Sequence, residues 1–243
     1  MGIRRRLSGC VHSPLARRLA PEWLKDLYRR GRNRVQRAFY DPRRFWTRFG
    51  RTYMERFPPV GQRSEDLFIR TVAGLGAGGV LDVGCGYGRY LLALRRGMTL
   101  RRLAGIDISP TQVERAREYL KDYPDIELVV GPATRLPWPD GAFDVVLTYS
   151  LMIHLRPAEL DEFLDEARRV SGGWGVFLES SSNPDRPHLN PPYYFAHDYE
   201  RAFARHGIAV TRVHSVNERT REYLYVVRFG PPARRSPECG TLT

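Results

Sequence analysis

The sequence predicts an α/β protein built on a parallel sheet with helices on both faces, and three observations carry that prediction. Short β-branched apolar runs alternate with segments of helical period from residue 64 to residue 181. The first run, GVLDVGCG (79–86), ends in glycines directly ahead of a helical segment, YGRYLLALRR (87–96). The chain then closes with two successive strand-like runs, IAVTRVHSV (208–216) and EYLYVVRF (222–229), near enough in sequence to pair antiparallel. Strands buried on both faces read as continuous apolar runs, and parallel neighbours need helical return connections.

The elements follow in order. From Ala20 to Phe39 the residues Leu24, Leu27, Tyr28, Val35 and Phe39 recur at mostly helical spacing, with arginine on the other face. This predicts an amphipathic helix docked on the domain. DPRRFWTRFGRTYMERFPP (41–59) adds an aromatic, basic helix stopped by Pro58 and Pro59, whose rings suit packing on the core better than stacking on bases. A third helix spans about Ser64 to Leu75. LAGIDIS (103–109) is the second strand, and Ser109 caps the next helix with Pro110 at its first position and Gln112 placed to complete a capping box. IELVVG (126–131), FDVVLTYS (143–150) and WGVFLESS (174–181) are further strands. Between the last two, Pro157 opens a helix whose Leu160, Phe163, Leu164, Ala167 and Val170 form one apolar face. DYERAFARHG (198–207) is a short helix stopped by Gly207, and the Pro- and Arg-rich tail from Gly230 predicts disorder.

With 243 residues, 42% of them hydrophobic, one sizeable core is expected rather than two. The reading divides the chain into a basic, aromatic-rich helical arm or lid (1–63), one domain (64–229) and a tail (230–243). No run reaches the roughly 18 apolar residues of a membrane helix, so a soluble, cytoplasmic protein is expected. Cys10, Cys85 and Cys239 form no C-x-x-C pair and have no His at metal spacing, so no metal and no disulfide framework is expected. The net charge of +12 resides in residues 1–51, with 15 Lys+Arg against 3 Asp+Glu, while the remainder balances at 24 of each. Such an arm can bind nucleic acid, RNA included, or an acidic membrane surface, or can be a transit peptide; the bland alternative is composition, since 37 of the 39 basic residues are arginine.

Gly84, Gly86 and Gly88 lie where the first strand turns into its helix, a place where side chains would block a ligand lying against the backbone. Their G-x-G-x-G spacing differs from the G-x-G-x-x-G of dinucleotide folds, which disfavours a nicotinamide dehydrogenase. Asp107 ends the second strand 23 residues after Gly84, where a carboxylate can accept from both hydroxyls of a ribose.

VLDVGCGYGRYLLAL, GIDISPTQVERAREY, LPWPDGAFDVVLTYSLMIHL and EARRVSGGWGVFLES resemble, in order and spacing, the class I S-adenosylmethionine-dependent methyltransferases, over roughly residues 64–229. The resemblance implies a Rossmann-like seven-stranded, mostly parallel sheet with the last strand antiparallel, and S-adenosylmethionine as cofactor. It implies that Asp82 and the loop through Gly84, Gly86 and Gly88 hold the methionine portion of the donor. Asp107 would take the ribose hydroxyls, and Ile108 the adenine. Many relatives carry Gly-Asp-Ala where this chain has Gly131-Pro132-Ala133, so the adenine amino contact falls to the Ala133 backbone and Thr134. Tyr149 would cover the donor. His154 is either a base toward the acceptor or a packed histidine before the Pro157 helix. Glu179, Ser181 and Asn183 are weaker acceptor-side candidates.

The reading that follows is a methyltransferase moving a methyl group to N or O of a small-molecule acceptor by direct in-line displacement. The alternatives are an RNA or protein methyltransferase docking through the basic arm, and a domain that binds without turnover. NPPY (190–193) matches a tetrapeptide found after the fourth strand in adenine and glutamine methyltransferases. Here it follows a fifth strand instead, so it reads as a turn whose Tyr193, with Tyr194 and Phe195, lies near the cleft mouth.

Overall fold

A computed structural model describes residues 21–56, 63–180, 191–218 and 221–230. The arm's residues 1–20, Ser181, Asn183, Asn190 and the tail beyond Gly230 lie outside the described residues. The described elements are α1 (Glu22–Ala38), α2 (Pro42–Arg56), α3 (Arg63–Gly74), β1 (Gly79–Val83), α4 (Arg89–Gly97), β2 (Arg102–Asp107), α5 (Pro110–Tyr119) and β3 (Glu127–Val130). They continue with β4 (Phe143–Tyr149), a 3₁₀ turn (Met152–His154), α6 (Pro157–Val170), β5 (Ser171–Ser180), α7 (Tyr199–Arg205), β6 (Ala209–Asn217) and β7 (Glu222–Arg228).

The seven strands form one sheet in the order β3-β2-β1-β4-β5-β7-β6. β1 to β5 pair parallel, and β7 runs antiparallel to both β5 and β6. The expected seven-stranded sheet with its last strand reversed is therefore present. Alternate residues of the fully buried β1 serve opposite faces: Leu81 and Val83 join Phe163, Phe177 and Phe203 in one core, while Val80 joins Phe68, Leu91 and Leu94 in the other. Chain order reverses between β1 and β4, so the carboxyl edges of these strands and β2 open a crevice of the kind in which parallel sheets bind ligands.

Several boundaries depart from the sequence expectation for local reasons. β1 stops at Val83, not Gly86, because Gly84 turns away at φ +77° and its N–H, with that of Cys85, donates to Ile106 O at 2.8 and 3.1 Å. β5 begins at Ser171, where the strand pairs with Phe143 and the Ser171 hydroxyl accepts from the N–H groups of Gly173 and Trp174 at 3.2 and 3.1 Å. Ser109 caps α5 as expected, accepting from Gln112 N–H at 3.2 Å, but the reciprocal half of the capping box is missing. Gln112 Oε1 is buried without a hydrogen-bond partner among the described residues, and its side chain instead lies under Gly50 of α2, where an added Cβ would come within 3.0 Å of Gln112 Cγ.

The connection from β3 to β4 is held by one arginine. Arg169 donates to Trp138 O, Leu136 O and the Glu166 carboxylate, which itself accepts from Leu136 N–H at 2.7 Å. The largest departure is α1. Its apolar residues Leu24, Leu27, Val35 and Phe39 are exposed, and the helix sits on the domain by its polar side, with Asn33 buried and Arg37 donating to Tyr194 O at 2.8 Å. The reversal has a physical basis: residues 193–195 offer a backbone carbonyl and the Phe195 ring, 5.6 Å from the Arg37 guanidinium, rather than an apolar groove.

Candidate active site

Three glycines shape the loop after β1. Gly84, Gly86 and Gly88 all have positive φ, at +77°, +56° and +86°. At Gly88 an added Cβ would also lie 2.7 Å from Leu120 Cδ1, so conformation and space both require glycine. Asp82 lies inside this turn, 1% exposed, with its Oδ2 buried and unpartnered among the described residues. Burial, reinforced by the nearby Asp107 charge and opposed by Arg89, pushes its carboxyl up to about 8. Asp107 closes β2 and accepts from Gly86 N–H at 2.9 Å and Ser109 N–H at 2.8 Å. Burial raises it to about 6 against those two bonds. Each carboxylate oxygen carries two lone pairs, so both oxygens keep capacity for a further donor. Ile108 follows, half-buried, and Gly131 N–H donates to Asp107 O at 2.9 Å, which ties the loop bearing the half-buried Ala133 and Thr134 to the same corner. Pro132 is exposed.

Tyr149 ends β4 opposite this loop, its ring centroid 4.9 Å from that of Tyr90. Arg89 lies across both, 4.6 Å from the Tyr90 ring and 5.4 Å from the Tyr149 ring, and donates to the Tyr90 hydroxyl at 2.8 Å. Burial, with the Glu222 charge adding and Arg89 opposing, raises the Tyr149 hydroxyl above its ordinary value. Sequence reasoning missed Arg89, although a signal existed. It is a cation at the first residue of α4, the end a helix dipole makes unfavourable for positive charge, and it is 9% exposed.

Beyond β4 the chain bends through Ser150, a non-glycine residue at φ +52°, into the 3₁₀ turn. Glu179 of β5 organises this bend. Wholly buried, it accepts from Thr148 Oγ1 at 2.7 Å and from the N–H groups of Leu151 and Met152 at 3.0 Å each. Burial raises it to about 7 against those bonds. These commitments make Glu179 a positioning residue for the turn, in place of the acceptor-side role the sequence reading entertained. Leu151 packs on Gly84, which joins the turn to the glycine loop.

His154 ends the turn with Nδ1 3.0 Å from Tyr193 O. A carbonyl can only accept, so Nδ1 carries the proton and Nε2 keeps its lone pair. Burial lowers the ring from 6.5 to about 4. Around it stand Trp46 of α2 at 4.6 Å between ring centroids, Tyr194 at 5.1 Å and Tyr193 at 5.8 Å. Phe45 packs on Tyr193 at 4.6 Å, so α2 and residues 193–195 together cap the turn. Tyr193 also lines a groove of about 1390 Å³ with Phe39, Phe45, Arg44, Arg48 and Pro110.

The structure thus gathers Asp82, the three glycines, Asp107, Ile108, Ala133, Thr134 and Tyr149 around the carboxyl edges of β1, β2 and β4, and sets His154 beyond them under the aromatic cap. No group of three metal-ligating residues occurs among the described residues.

Residues 80–173 match a family model described as a methyltransferase domain. The chain is 32% identical over 138 residues to a fatty-acid O-methyltransferase of Mycolicibacterium smegmatis, covering 57% of this chain and 46% of that protein. It is 35% identical over 107 residues to a demethylmenaquinone methyltransferase of Bacillus licheniformis, covering 43% and 45%. The chain spans less than half the length of the curated relatives it matches. Its fold matches a magnesium protoporphyrin IX methyltransferase from Synechocystis, crystallised with bound SAH, at a TM-score of 0.64 and 16% identity over 77% of this chain and 98% of that one.

Proposed function

We propose, from the premise that this chain belongs to the class I S-adenosylmethionine-dependent methyltransferases, that it moves the donor's methyl group to N or O of a small-molecule acceptor by direct in-line displacement. The residues present fit the cofactor: an unpartnered buried Asp82 oxygen, a glycine cradle that side chains would fill, and an Asp107 with acceptor capacity left. Asp82, the Gly84–Gly88 loop and Arg89 hold its methionine portion, Asp107 its ribose, and Ile108 with Ala133 and Thr134 its adenine. The bound cofactor supplies an electrophilic sulfonium methyl.

The chain's contribution is alignment and exclusion of water. Tyr149 covers the donor. His154, neutral at pH 7 because burial holds it near 4, offers Nε2 as an acceptor that orients the attacking group's proton rather than removing it in advance. The observation that carries the acceptor reading is Tyr193, which fixes His154 through its carbonyl and lines the groove with its side of the cap. The groove exceeds the ~300–1000 Å³ of ordinary ligand sites, leaving room for a bulky small molecule.

Two measurements test this. Calorimetry with S-adenosylhomocysteine is expected to show binding that Asp107→Ala abolishes; no binding to the full chain refutes the donor site. Single-turnover transfer from tritiated donor, offered cell extract fractionated by size, is expected to label small molecules. Label confined to RNA or protein refutes the acceptor class while leaving the donor site standing.

A further inference from the structure

We infer that α1 is an interfacial helix that docks the protein on an anionic lipid bilayer, a surface that goes beyond the transfer reaction. Successive helical residues turn by about 100°. On that wheel Trp23, Leu24, Leu27 and Val35 fall on one stripe, continued by Phe39 at the C-cap, and they are 68%, 39%, 61%, 59% and 83% exposed. Arg30 borders the stripe beside Trp23 and Arg32 borders it beside Phe39, both exposed. The opposite face is the one that meets the domain, through buried Asn33 and the Arg37 bond to Tyr194 O. The helix has used its polar side for docking and holds its apolar side outward, about 25 Å long.

Charge selects the occupant. α1 holds six basic residues against two acidic ones, and residues 1–51 as a whole hold 15 against 3. A second copy of the same face would bring these cations together, which opposes self-association. A nucleic acid matches the charge but has no use for an aliphatic centre, since such interfaces are polar as well as positive. An anionic bilayer satisfies both: the apolar stripe enters the headgroup–acyl boundary and the flanking arginines meet lipid phosphates. Phe39 also lines the groove, so docking sets the groove's mouth at the lipid–water boundary.

The test is co-sedimentation of the full chain with vesicles of phosphatidylcholine alone or mixed with phosphatidylglycerol. Binding is expected only to the mixed vesicles, and it is expected to fall by about tenfold or more in Leu27→Glu/Val35→Glu and in Arg30→Glu/Arg32→Glu. Both variants should keep the wild-type melting temperature and affinity for S-adenosylhomocysteine, because none of these side chains touches the donor loop. Failure to bind mixed vesicles, or binding that neither variant weakens, overturns the inference. So does a dimer in light scattering that Leu27→Glu/Val35→Glu splits while vesicle binding is absent. Affinity for single-stranded RNA that the arginine variant abolishes, with no vesicle binding, overturns it in favour of a nucleic-acid surface.

Discussion

Asp82→Asn separates what this carboxylate does for the empty protein from its proposed hold on the donor. An unfolded aspartate titrates near 3.8, whereas buried Asp82 holds its proton to about 8. Between those values the folded protein retains a proton that the unfolded chain has released, so stability falls as pH rises, by about 1.4 kcal/mol per unit for one whole proton. Above pH 8 both states are ionised and the loss levels off, having reached on the order of a few kcal/mol. Asparagine keeps the shape and cannot ionise. At pH 5 the variant is expected to be no more stable than wild type, since its amide is also buried without a partner. By pH 8 it should melt about 5–10 °C higher. Thermal melts of ligand-free protein from pH 5 to pH 9 read this directly. Asp107 titrates in the same range and its charge acts on Asp82, so the difference curve reports Asp82 together with its coupling to Asp107. S-Adenosylhomocysteine should bind the variant at least ~10-fold more weakly at pH 8, and binding to wild type at pH 7 should release a proton, seen as heat that depends on the buffer's ionisation enthalpy. Parallel melting curves across the pH range would refute the reasoning, because they would mean that Asp82 titrates in the folded protein as it does in the unfolded chain.

Three further outcomes are expected. His154 in the folded state prefers the neutral ring, so the stability it contributes is complete above pH 6.5 and lost as pH falls through about 4; His154→Gln should flatten that acid limb in urea titrations, and wild-type kcat/KM should show no inflection near 6.5 from this residue. Glu179→Ala leaves the Thr148 hydroxyl and two backbone N–H groups without their acceptor, at about 1–3 kcal/mol each, and should lower the unfolding free energy by several kcal/mol, read as a lower denaturant midpoint at an unchanged m-value. Gly88→Ala, at φ +86° and with Leu120 Cδ1 2.7 Å from the new methyl, should cost roughly 1–3 kcal/mol in the same titration and abolish S-adenosylhomocysteine binding.

The sheet was legible because its inner strands are largely buried on both faces and so spell out continuous apolar runs, and because glycines and capping residues mark many of the turns. The placing of Asp82, Asp107 and the glycines at one corner was legible from their position at the ends of strands. What escaped were contacts that no local pattern encodes. Gln112 has the spacing of a capping partner, yet a helix some sixty residues earlier in the chain claims its side chain. Glu179 sits on a strand end like an acceptor-side residue, but its bonds run sideways to Thr148 and the next turn. Periodicity revealed that α1 is amphipathic and could not reveal which side faces inward, because that depends on the carbonyl and ring presented by residues 194 and 195.

The aromatic cap has a kinetic consequence. It is held to the domain by tilted and edge-on ring contacts among Phe45, Trp46, Tyr193 and His154, by α2 resting on Gln112 at Gly50, and by bonds such as that from Phe195 N–H to Ile153 O, with none of these four rings in either hydrophobic core. Contacts of this kind are worth about 0.5–1.5 kcal/mol each, so the cap can lift on a timescale far shorter than that of unfolding. The proposed transfer would then run at the pace of cap opening and product escape, with its first round faster than those that follow.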